Sequence, residues 1–93
     1  MAIEMIAVWL KIDDEHVVDA LQEAREKLDS VDGEVALDLS SVRRVDPSAL
    51  RALEEFARLA DKKGIKVVLR GVKVDVYKVL KLMKFGSRFS FVN

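Results

Sequence analysis

His16 is the single histidine of the chain, and it directly follows three acids, Asp13, Asp14 and Glu15. An imidazole beside carboxylates is the raw material of general acid–base catalysis, which also needs a nucleophile or an orienting carboxylate within hydrogen-bond reach. Early-turn acids are equally ordinary helix-start chemistry, because the positive end of the helix dipole favours them. His16 therefore reads as a solvated surface residue. The three acids do not make a metal site, since hard cations need more oxygen ligands, better spread. The absence of cysteine removes thiolate zinc sites, thiol catalysis and disulfides. Glycine-rich phosphate loops and the serine elbow of hydrolases are missing too. Nothing here asks for a cofactor or a metal, and a small hydrolase or transferase would lack its nucleophile–base pair.

The informative stretch is Leu37-Asp38-Leu39-Ser40-Ser41-Val42-Arg43-Arg44-Val45-Asp46-Pro47-Ser48-Ala49-Leu50. A strand ends, a polar loop follows, and a helix starts. Asp46 suits the N-cap, where a carboxylate accepts an otherwise unpaired backbone N–H. Pro47 suits the first helical position, where no N–H is needed. Ser48 then falls in the first turn, with its hydroxyl near the positive end of the dipole. A serine there serves local hydrogen bonding or presents a polar contact. Arg43 and Arg44 read as a solvated loop or as contacts for an acidic partner surface.

Stepping outward along the chain, Ile3–Ile12 is apolar and β-branched and reads as a strand that Asp13 stops. Asp13 or Asp14 can cap a helix running to about Asp29, with Val17, Leu21, Ala24, Leu28 and Val31 as its apolar stripe. Val35–Leu39 is a second strand. The second helix runs from about Pro47 to Lys63, with Leu50, Leu53, Phe56 or Ala57, and Ala60 inward. Gly64 ends it, after Lys62 and Lys63. Val67–Arg70 is a third strand, ended by Gly71. A third helix spans about Val74–Lys84, with Val76, Val79, Leu80 and Met83 inward, closed by Gly86. Phe89–Val92 is a last edge strand. The order β-α-β-α-β-α-β predicts an α/β fold, a small, mostly parallel four-stranded sheet with three helices. On strict alternation, Met5, Ala7 and Trp9 share one face of the first strand and Ile6, Val8, Leu10 and Ile12 the other. One set faces a sheet side that three helices leave bare, so Met5 and Trp9 mark a candidate homodimer face.

The whole chain bounds these readings. Its 93 residues suit one domain, spanning 1–93. A domain of this size hides roughly 60–65% of its unfolded surface, which favours a surface groove over a deep private site. Sixteen basic and sixteen acidic residues cancel, whereas a nucleic-acid binder needs a basic face to displace counterions. Direct nucleic-acid binding is therefore not expected. Met1–Ile12 lacks a basic leader and is interrupted by Glu4. No apolar run approaches the ~20 residues that span a bilayer. A cytoplasmic protein without membrane insertion is the expectation.

The segment 37–50 resembles the signature of the STAS domains, the family of anti-sigma factor antagonists. That signature is a strand ending Leu-Asp-Leu-Ser, then an apolar residue and Asp-Ser/Thr-Ser-Gly-Leu at a helix start. Its counterparts are Leu37-Asp38-Leu39-Ser40 and Val45-Asp46-Pro47-Ser48-Ala49-Leu50. Lys63–Leu69, Phe85-Gly86 and Phe89 fit the same pattern, and the likeness covers residues 33 to 93. The resemblance implies a phosphorylatable residue at Ser48, with Asp38 at an acidic position close by. It also implies a non-catalytic signalling module that regulates transcription by binding a kinase or anti-sigma factor until Ser48 is phosphorylated. The partner-binding candidates are Asp38, Ser40, Ser41, Arg43, Arg44, Asp46, Ser48 and Arg51. Three features depart from the pattern. Pro47 stands for Ser or Thr, Ala49 stands for Gly, and a Gly-x-Leu after the first strand is absent. They open an alternative, an accessory subunit that grips a membrane transport complex without a phosphoswitch.

Overall fold

The backbone of α2 shows how the sequence sets its own boundaries. Asp46 holds an extended conformation and accepts the Ala49 N–H at 2.8 Å, and Pro47 occupies the first turn. At the other end Gly64, at φ +72°, takes the left-handed conformation that lets the chain turn into the next strand. Between them, α2 (Pro47–Lys62) buries Ala49, Leu53, Phe56, Ala57 and Ala60 along one side.

The computed structural model describes residues 7–83 and 88–92. The elements are β1 (Ala7–Lys11), α1 (Val17–Lys27), β2 (Glu34–Asp38), α2, β3 (Lys66–Arg70), α3 (Val74–Lys81) and β4 (Phe89–Val92), with short 3-10 turns at Asp14–His16 and Leu28–Ser30. The sheet order is β1-β2-β3-β4 and every neighbouring pair is parallel. The register sets Trp9 beside Ala36, Ala36 beside Val68, and Val68 beside Ser90. The expected four-stranded α/β sheet with three helices is thus observed, and it is wholly parallel.

Sequential order with right-handed crossovers places every helix on one face of the sheet. The packing agrees. Stripes from all three helices join Val35, Leu37, Val67, Leu69 and Phe89 in one core, while Ala36 and Val68, of opposite parity, stay outside that cluster. Phe56, Leu21, Leu37, Leu53, Leu69 and Leu80 are fully enclosed, each contributing about 1.5–3 kcal/mol of burial.

Two expectations need correction. Neither Asp13 nor Asp14 caps α1 through its side chain; α1 starts at Val17 after a 3-10 turn. Val79 does not face inward: it is exposed, and Val76 and Leu80 carry the buried side of α3. Trp9 lies, as its alternation allowed, on the face without helices, where it is 55% exposed. Met5, Lys84, Phe85 and Gly86, like the Ile3–Ile6 part of the first predicted strand, lie outside the described residues.

Candidate functional site

In a parallel sheet the loops after each strand collect at its carboxyl end. The β2–α2 loop is therefore laid between the ends of β1 and β3. It is fixed from four directions. The Ser40 N–H donates to Asp38 Oδ1 at 2.9 Å, which makes an Asx turn. The Ser41 hydroxyl donates to the Ile12 carbonyl at 3.3 Å. The Arg43 N–H donates to Asp14 Oδ1 at 3.0 Å, and Asp14 is thereby committed to the loop and not to capping α1. The Lys73 ammonium donates to the Ser40 carbonyl. Gly71 lies directly against the same turn: a Cβ built there would sit 2.8 Å from Ser40 Cβ and 3.2 Å from its Cα.

These bonds hold Asp38 ionised. The Ser40 backbone N–H chiefly lowers its pKa below the usual carboxylate value, the Ser40 side chain adds to this, and the Lys11 and Arg70 charges lower it further. Asp38 is thus the electrostatic and hydrogen-bonding anchor of the loop, and not a proton donor at neutral pH.

What the anchored loop presents is polar and cationic. Arg43 and Arg44 are exposed, as are Ser40, Asp46, Ser48 and Arg51. Arg44 and Asp46 line a hollow of about 270 Å³ with Asp14, Glu15, His16 and Ala49. Ser48 and Arg51 line an adjoining groove of about 340 Å³ between α1 and α2, floored by Val18, Leu21 and Ala52 and flanked by Arg25 and Glu55. Among the described residues no hydrogen bond engages the Ser48 hydroxyl, and the cap is made by Asp46. The local hydrogen-bonding role open to Ser48 in the sequence is thus filled by its neighbour.

The structure therefore gathers Asp38, Ser40, Ser41, Arg43, Arg44, Asp46, Ser48 and Arg51 at one end of the sheet and on the adjoining helix. It sets Trp9 apart. The Trp9 indole lies under the Arg70 guanidinium, 4.6 Å from the ring centroid. Trp9 belongs to β1 and Arg70 to β3, so the pair arches over β2, where small Ala36 leaves room. Sequence reasoning missed Asp14, Gly71 and Lys73 as supports of the loop. The signal available was topological: each follows a strand of a parallel sheet, so each had to converge on the same end.

Among the described residues there is no group of three or more His, Cys, Asp or Glu placed to hold a metal ion, and no helix is long and apolar enough to cross a membrane. The STAS domain family matches residues 10–93. A relative from Escherichia coli, the intermembrane phospholipid transport system binding protein MlaB, is 42% identical over 69 residues, which are 74% of this chain and 69% of that protein. Among solved structures, the SulP transporter STAS domain of Vibrio cholerae superposes with a TM-score of 0.77 at 20% identity, covering 99% of this chain and 77% of that one. RsbS of Moorella thermoacetica does so with a TM-score of 0.71 at 23% identity, covering 99% and 84%.

Proposed function

This chain belongs to the STAS domain family, and from that membership we propose that it is a non-catalytic, protein-binding subunit of a membrane transport assembly that moves phospholipid. The observation that carries this reading is the 42% identity to a binding protein of an intermembrane phospholipid transport system, across about three quarters of the chain. The likeness to RsbS and to the SulP domain, at 20–23% identity, is one of fold. The transport-subunit alternative drawn from the sequence is therefore preferred to regulation of transcription.

The docking face is the anchored loop with the start of α2. Arg43, Arg44, Ser48 and Arg51 supply an exposed donor set on a rigid support, and the support matters because ordering a loose loop on binding costs affinity. The groove between α1 and α2 adds an apolar floor beside these donors. A phosphoswitch at Ser48 is the finer form of the proposal. A phosphate would bring about −1.5 to −2 charges to a surface that a partner has to desolvate, and an unpaired charge buried there is costly. What supports it is the exposed, unbonded hydroxyl in the first turn of α2. Trp9 is kept as the candidate self-association face.

The test is purification of the tagged chain from its native cells, with cross-linking and mass spectrometry. An ATPase or permease of a lipid transporter, cross-linked through the β2–α2 loop, is the expected partner, and it is lost with Arg44→Glu and Arg51→Glu. Recovery of an anti-sigma kinase in its place overturns the transport reading in favour of signalling.

A further inference from the structure

Among the described residues the exposed apolar surface is concentrated in one place. Of the six exposed large hydrophobic residues among the described ones, Val74, Tyr77, Val79 and Leu82 belong to α3 or its C-cap and Val92 to β4; Trp9 lies elsewhere. Leu82 is 87% and Val74 68% exposed. Where α3 meets β4 the surface is concave. Val72, Val74, Tyr77, Phe91 and Val92 line a hollow of about 220 Å³ without a charged group in its wall. The Tyr77 and Phe91 rings form its base edge to face, with centroids 4.9 Å apart.

Two further observations bear on the same corner. β4 is the edge of the sheet and pairs only with β3 among the described residues. Its sequence, Phe-Ser-Phe-Val, has neither the charged side chains nor the proline that normally protect an open edge from added strands. The charge of the adjoining segment is one-sided: residues 73–83 contain three lysines and one aspartate, a surplus of two in a neutral chain, so the rest of the sequence is net −2. Neither Lys78 nor Lys81 is ion-paired among the described residues. Lys81 lies over the Tyr77 ring instead, 5.7 Å from its centroid.

We propose that this corner is a second docking surface, separate from the β2–α2 loop, which takes an extended acidic segment of a partner protein. The segment adds as a strand along β4, so that main-chain bonds satisfy the open edge. One large apolar side chain seats in the Val72–Val92 hollow, and flanking carboxylates meet Lys78 and Lys81. The concavity favours a side-chain anchor over a flat bilayer, and the unpaired lysines favour an acidic sequence over a second copy of this edge, which would bring lysine against lysine.

Panning a phage library of random dodecapeptides on the intact chain tests this. Enriched peptides are then synthesised and titrated by fluorescence polarisation. They should carry one large apolar residue flanked by acids and slow amide exchange in β4. Their affinity should fall about tenfold or more in a Lys78→Glu, Lys81→Glu double variant, where like charges now face each other, and in Val92→Lys. All three side chains are exposed, so the variants should keep the wild-type melting temperature. Enrichment without acids, protection confined to α1 and α2, undiminished affinity in the folded variants, or no enriched peptide at all would each overturn the proposal. So would a preference for phosphatidylglycerol vesicles over the peptides.

Discussion

Gly71→Ala should be far more damaging than Gly64→Ala, although both glycines have positive φ. At Gly64, φ is +72° and an added methyl would meet nothing within 4 Å. The cost there is the left-handed backbone alone, about 1–2 kcal/mol for a residue bearing a Cβ. At Gly71, φ is +67°, so the same term applies, but the methyl would also lie 2.8 Å from Ser40 Cβ, 3.2 Å from Ser40 Cα and 3.4 Å from Ser40 N. None of these is the free end of a flexible side chain. Ser40 itself is held by Asp38 and Lys73, so relief requires the whole turn to move. Forcing an extra methyl into packed structure adds about 1–3 kcal/mol. The expected losses are about 1–2 kcal/mol for Gly64→Ala and about 2–5 kcal/mol for Gly71→Ala, against a total stability of about 5–15 kcal/mol. Urea unfolding at neutral pH measures both, and the melting temperature should fall about 4–8 °C for each kcal/mol. Gly71→Ala should also weaken partner binding when folding is matched, because the displaced turn carries Arg43 and Arg44, whereas Gly64→Ala should not. Equal destabilisation by the two substitutions would refute the close approach of β3 to the loop as a determinant of the site.

The Asp38 anchor predicts a pH signature. Its pKa is lower in the folded chain, so its contribution is present above the unfolded value and lost as pH falls through the folded one. Asp38→Ala should therefore cost about 0.5–1.5 kcal/mol at pH 7, with the gap to wild type closing in acid; a gap constant from pH 7 to pH 2.5 in urea titrations would refute the anchor. Trp9→Lys should stay folded and abolish self-association in sedimentation equilibrium, and a wild type that is monomeric at every concentration removes the dimer face. Ser48→Asp should melt close to wild type yet bind the transport partner much more weakly, with Ser48→Ala still binding; equal affinity of all three by calorimetry would leave Ser48 without a switching role.

The parts of this fold that could be read from sequence are those governed by neighbours in the chain. Asp46 and Pro47 at one end of α2, and Lys62, Lys63 and Gly64 at the other, act within a single helical turn, and the observed bounds Pro47–Lys62 follow. The start of α1 could not be read this way. Asp14 has the composition of a cap, but its carboxylate is taken by the Arg43 N–H, 29 residues away. Val79 fitted an apolar stripe by spacing alone. In the fold α3 has only eight residues, and its buried sector is Val76 and Leu80. The site residues were legible as a segment, from Asp38 to Arg51, because a strand end, a loop and a helix start are local patterns. Gly71 and Lys73 were not, because their contacts with Ser40 depend on the register of β2 and β3, which brings the Leu39 N–H within 2.9 Å of the Arg70 carbonyl.

That register also explains why a chain this small can present several separate surfaces. Four parallel strands in sequential order need three crossovers of the same hand, and these can only stack all the helices on one side. The same topology commits the strand ends to a shared edge of the molecule, where loop, dipole and cationic side chains meet around Ser48. It also leaves uncovered the Trp9–Arg70 face, which a doubly covered sheet would hide, and, as in any open sheet, an edge, here the uncharged β4 beside an apolar hollow. Parallel sheets are ordinarily buried on both sides. Here the uncovered face mixes Trp9, Ala36 and Val68 with Lys11, Glu34, Asp38, Lys66 and Arg70, so charged side chains and the Trp9–Arg70 stack take the place of a second helical layer. The proposed binding role uses what this strand order leaves uncovered, and the cationic side chains near each surface set the charge of the partner it would take.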